Sequence, residues 1–278
     1  MATLLTHLVV LQFFMKYINL RLYIESSLHV AFSLWAFCYV FAMQQGVDLV
    51  VSLQCAIFGF GWFAYQYFHF IVPALLKKKR INLRQITMLF SAAVVGFYGL
   101  VIGAIPVVWL VFIFVGMLTA TYVLPFGTKM GLRYVPTLKI FIVALCWSTL
   151  ATFGLYNLTS VHFTLVASKA ILWVLALIVP LEIHDLNKDA PSLKTLPQVL
   201  GIRGVKLLSY ALILMVAALA FITSTSIKFA WVETGMLALL GILIFKVKAG
   251  QPKYITSLFV EAIPVLWLGL SYAAFTFC

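Results

Sequence analysis

Long apolar runs, interrupted by short polar clusters, succeed one another along the whole chain. A helix needs about 20 apolar residues to cross a hydrocarbon core about 30 Å thick, where backbone groups must be satisfied internally. Cutting the sequence wherever charge, proline or glycine clusters break such runs gives nine segments: 26–44, 49–75, 86–103, 106–124, 138–157, 161–183, 205–224, 228–247 and 256–276. Only Gly103-Ala-Ile-Pro106 separates the third from the fourth, and no charge marks that turn. The pattern predicts an all-α fold, a polytopic membrane bundle of nine transmembrane helices forming one domain over 1–278. Residues 1–22 carry Lys16 and Arg21 after their apolar part, so they read as an interfacial helix and not as a cleaved signal.

Composition agrees with this picture. The 278 residues are 64% hydrophobic and 9% charged, with a mean hydropathy of +1.12. An ordinary soluble domain carries about 25% charged residues, so a soluble globular fold is excluded. The net charge of +12 would suggest nucleic acid in a soluble chain, but its distribution points elsewhere. All basic residues except Lys169 and Lys228 fall before the first span or after the even-numbered ones. By the positive-inside rule this places the N-terminus in the cytoplasm and the C-terminus outside, in a membrane of the bacterial inner type. Nucleic acid is not an expected partner. Cys38, Cys55, Cys146 and Cys278 sit in apolar stretches without metal-binding spacing and read as packing residues. Asn157-Leu-Thr159 fits a glycosylation sequon on an outer loop, although chance produces such tripeptides readily.

Ionisable groups inside spans are costly and need a reason. Lys169 and Glu233 lie at similar depth in the outer parts of spans six and eight and are candidate partners; snorkelling of Lys169 to the outer headgroups is the alternative. Glu25 and Glu261 sit at cytoplasmic ends, where solvation suffices. The richest polar stretch comes after span six, in a loop over 184–204. Glu182, Asp185 and Asp189 are spaced i, i+3, i+7, which places three carboxylates on one helical face. Such a face suits Mg²⁺ shared with phosphate oxygens, or is an acidic helix end balanced by lysines. Arg84, Lys129, Arg133 and Lys194 on the same side of the membrane are candidates to surround an anion, or simply obey the positive-inside rule.

The segment Glu182 to Gly201 resembles the second aspartate-rich motif of the UbiA superfamily of intramembrane prenyltransferases. Asp185 and Asp189 match its D-x-x-x-D, and Lys194-Thr-Leu-Pro197 with Gly201 matches the motif's C-terminal part. Tyr122 with Lys129 is similar to the family's tyrosine-to-basic segment beside the diphosphate. The family's first motif, N-x-x-x-D at the end of span two, is incomplete: Gln66 stands for the Asn, but Phe70 stands where the Asp belongs. His69 between them is a candidate for contact with substrate or with a neighbouring helix. The resemblance implies one Mg²⁺ held by Asp185, Asp189 and Glu182, with Tyr122 and Lys129 in catalytic roles. It further implies that Gln66, His69, Arg84, Arg133 and Lys194 bind a prenyl diphosphate.

Two functions are expected on these grounds. One is transfer of an isoprenoid from a prenyl diphosphate to an unidentified acceptor, with an aromatic compound as a candidate. The other is a non-catalytic protein of the same fold that binds a membrane lipid or a membrane protein partner. Transport is a weaker third, because the polar cluster lies at one surface and not near the midplane.

Overall fold

The structure is a computed structural model that describes residues 23, 26–77, 80–103, 106–123, 131–132, 135, 137–153, 160–189, 191–251 and 258–276. Each expected apolar segment contains a helix: α1 (Leu28–Gln44), α2 (Val51–Gln66), α3 (Leu83–Gly103), α4 (Pro106–Val123), α5 (Leu138–Thr152), α6 (Ser160–Asp185), α7 (Leu196–Thr223), α8 (Ile227–Lys246) and α9 (Ile263–Thr276). No strand occurs among the described residues. Six helices are long and apolar enough to cross a membrane: α2 with its extension, α3, α6, α7, α8 and α9 with the turn before it. The other three, α1, α4 and α5, are shorter apolar helices.

Contacts between helix ends show that the chain runs up and down. Lys139 at the start of α5 meets Glu182 at the end of α6, and Lys206 near the start of α7 donates to the carbonyls of Phe245 and Val247 at the end of α8. Trp62 Nε1 in α2 donates to the carbonyl of Ser26 just before α1. This alternation gathers Arg84, Lys139, Lys188, Lys194, Arg203, Lys206, Lys246 and Lys248 at one end, here called the basic end. Among the described residues, Lys169 and Lys228 belong to the opposite half. The sequence-based division into runs and the helix packing therefore agree.

α1 lies inside the bundle, packed by α2, α5 and α9, which explains why a helix this short is buried on most of its faces. Its Phe37 and Phe41 meet Trp267 of α9, and Trp267 stacks on Trp173 of α6 at 5.0 Å with both indoles fully buried. α2 and α3 approach much more closely. A Cβ on Gly59 would collide with the backbone of Gly96, and one on Gly99 with the Ser52 carbonyl and the Ala56 backbone. Small residues permit such contact between helices in lipid, where packing replaces the hydrophobic effect as the driving force. Gly59→Val is therefore expected to separate α2 from α3, because backbone cannot yield as a flexible side chain does. The expected loss is at least the 1–3 kcal/mol, roughly, of core overpacking, and thermal unfolding in detergent measures it.

One boundary departs clearly from the sequence reading. The polar loop expected over 184–204 is shorter, because α7 begins at Leu196. Thr195 precedes it, its N–H bonded to Gln198 Oε1 at 2.9 Å, and Pro197 occupies the first turn, where its missing N–H costs nothing. Gly201 then bends the rod with φ 69°, a backbone region that glycine enters readily. Over the second expected segment, 49–75, helix α2 continues past Gln66 through a π-helical turn, Tyr67–Ile71, into a short α-helical piece, Val72–Lys77. The expected interfacial helix over 1–22 lies outside the described residues.

Candidate functional site: an aromatic cavity beside a Lys–carboxylate cluster

Packing α3 on α2 and α4 on α5 leaves space between the two pairs, since α3 and α4 are not closely packed against each other. A partly open cavity of about 640 Å³ fills that space. Rings dominate its wall: Phe60 and Tyr65 from α2, Phe97 from α3, Trp109 and Phe112 from α4, and Trp147 from α5. Phe60 meets Phe97 within the first pair, and its ring contact with Phe112 bridges the two pairs. The cavity runs beside α4 from Trp109 to Tyr122, about 20 Å at 1.5 Å per residue. Tyr122 closes the basic end, its ring 5.4 Å from that of Phe68. The size and apolar lining are those of a small-molecule site.

Next to that end lies the charged cluster. Lys139 Nζ is 2.6 Å from Glu182 Oε1 and 3.8 Å from Asp189 Oδ2, and Tyr122 is close enough to Lys139 to interact with it electrostatically. Asp185 turns to other partners, His184 Nδ1 at 2.8 Å and Lys188 Nζ at 3.1 Å. Helix α6 ends at Asp185, and the chain makes one further turn in which the Asp189 N–H bonds the Asp185 carbonyl at 3.0 Å. Glu182 and Asp189 thus converge on Lys139, while Asp185 does not join them. Lys139 occupies the position between Glu182 and Asp189 that a cation would take, and no group of three or more His, Cys, Asp or Glu able to hold a metal occurs among the described residues. In this arrangement the expected ligands Glu182, Asp185 and Asp189 face ammonium groups, Glu182 and Asp189 that of Lys139 and Asp185 that of Lys188.

The remaining sequence candidates are scattered. His69 is exposed and its Nδ1 lies 2.9 Å from Ser27 Oγ, a tie between the residue preceding α1 and the π-helical turn. Gln66 is fully buried with neither amide atom hydrogen-bonded, and it does not line the cavity. Arg84 and Lys194 are exposed, Lys194 in a left-handed conformation at φ 44°. Lys129 and Arg133 lie outside the described residues, as do Glu25 and Cys278.

A second polar cluster lies in the opposite half, and here the pairing expected from shared depth is found. Lys169 Nζ donates to Glu233 Oε2 at 3.1 Å and to Gln44 Oε1 at 2.8 Å, with both charged side chains fully buried. Gln44 Nε2 donates to the same Glu233 oxygen at 2.8 Å, and the Phe41 ring lies 5.0 Å from the ammonium. Snorkelling of Lys169 is thereby ruled out. The pattern along the chain pointed to the pair but missed Gln44. A polar residue in the last turn of an apolar span was its only signal. Sequence reasoning likewise missed Lys139, counted only as one more basic-end charge, and the hydrogen bond from Trp147 to Tyr65 on the cavity wall, two residues that look like ordinary membrane aromatics.

No family model, curated protein or solved structure matches this chain.

Proposed function

We propose that this is an integral membrane protein that crosses the bilayer nine times, with the basic end in the cytoplasm, and holds a long apolar chain in the cavity between α2–α3 and α4–α5. The observation that supports this best is the cavity itself, about 640 Å³, ring-lined and partly open. Among the described residues, glycine contacts bring α2 against α3 and stacked indoles join α6 to α9, so a space of this size stands out, and an occupant would recover its lost packing. The cavity runs along the helices, as a lipid chain in a bilayer does. Native mass spectrometry of protein purified in mild detergent tests the reading. One apolar molecule retained per chain supports it, and chain-free protein after purification from its native membrane argues against it.

A second reading is UbiA-like prenyl transfer. Its support is the adjacency of the cavity's basic end to Glu182 and Asp189, together with the likeness of residues 182–201. It ranks behind because lysines already balance these carboxylates. A thermal-shift comparison of Mg²⁺ with geranylgeranyl diphosphate against each alone tests it, since a ligand selective for the folded state raises apparent stability. This reading expects a joint stabilisation that Asp185→Asn and Asp189→Asn abolish. No joint effect in the wild type removes it.

A further inference from the structure

The cavity wall contains no Asp, Glu, Lys, Arg or His among the described residues. A charged group drawn inside would be left without a partner, at a prohibitive desolvation cost, so the portion of the ligand that enters is uncharged. The wall is not wholly apolar, however, and its polar atoms differ in availability. Thr119 and Cys146 are hydrogen-bonded to each other, Tyr122 has a partner of its own, and Tyr67 and Trp109 carry polar groups with no hydrogen bond to a described residue.

Tyr65 is different. Trp147 Nε1 donates to its hydroxyl oxygen at 3.2 Å. An indole N–H can only donate, so the phenol oxygen is the acceptor in this bond and the phenol hydrogen is directed elsewhere. Among the described residues no protein group accepts that hydrogen. Burial without an acceptor costs free energy, yet Tyr65 lies on the cavity wall, where a ligand can supply one.

We infer that the cavity selects an apolar molecule bearing a carbonyl oxygen, which accepts the hydrogen bond of Tyr65, with Trp147 positioning the phenol. This rests on the chain-binding reading above. A carbonyl suits the wall better than a hydroxyl does. It only accepts, whereas a hydroxyl would bring a donor of its own that needs a further acceptor beyond Tyr65.

The test uses two probes matched in shape: a C20 isoprenoid methyl ketone, and the hydrocarbon with a methylidene group in place of the carbonyl oxygen. Apparent affinities come from the rise in unfolding temperature of purified protein in micelles. The ketone-to-hydrocarbon affinity ratio in the wild type, divided by that in Tyr65→Phe, cancels partition into the micelle. The expected quotient is about 3- to 10-fold, the value of one neutral hydrogen bond. Trp147→Phe keeps the phenol but removes its orienting donor, and should lower the ratio by less. Wild type binding both probes at a ratio unchanged in both variants overturns the inference and leaves chain binding intact. Neither probe stabilising the wild type overturns the chain-binding reading and the inference with it.

Discussion

Replacing Lys169 by Met is expected to destabilise the protein by about 3–5 kcal/mol, the cost of leaving a buried partner charge unmatched. The geometry makes the effect large. Lys169 and Glu233 are fully buried, and Gln44 bonds to both, so removing the ammonium strands a carboxylate whose second oxygen, Oε1, already lacks a hydrogen bond. Glu233→Met should cost a similar amount by stranding the ammonium. The double replacement should cost clearly less than the sum, because an apolar pair in a dry interior has no charge left to solvate. Thermal unfolding in detergent of the four proteins of the cycle measures this, and additive single effects would mean that the pair is not coupled.

Ala120→Trp is expected to abolish chain binding, with a loss of about tenfold or more in affinity, while leaving the fold in place. Ala120 faces the cavity from α4, so an indole there enters existing space and does not press on a neighbouring helix. Ala93→Phe approaches from the opposite wall, on α3, and should act in the same way. If the space is natively occupied by a chain, the filled variants should purify without it. Their unfolding temperature should no longer respond to added isoprenoid hydrocarbon. Overpacking would show instead as lowered stability.

Much of the architecture was legible in the chain because membrane physics writes it there. Run length fixes where helices form, and the positions of Arg84, Lys139, Lys188 and Lys246 fix which ends meet. The Lys169–Glu233 pair was legible for the same reason: two opposite charges placed at equal depth in lipid need each other. The cavity was not legible. It arises where α3 fails to meet α4, and that depends on glycine contacts holding α3 against α2, a three-dimensional result that spacing does not encode. Nor could the i, i+3, i+7 pattern show that Lys139 would enter from α5 to hold Glu182 and Asp189 while Asp185 turned to Lys188. One-helix geometry places side chains on a face, but the neighbouring helix decides what that face meets. The early start of α7 was readable in principle from Thr195, Pro197 and Gln198, and was hidden by the polarity of the surrounding stretch.

Photo-crosslinking tests the central claim most directly. A C20 isoprenoid hydrocarbon carrying a diazirine is irradiated with the purified protein in micelles, and the adducts are mapped by mass spectrometry. The account predicts adducts concentrated on cavity-wall residues such as Phe60, Phe112 and Trp147, displaced by excess unlabelled chain and absent in Ala120→Trp. Adducts confined to outward-facing residues such as Leu214 and Phe245, and insensitive to competitor or to Ala120→Trp, would contradict it.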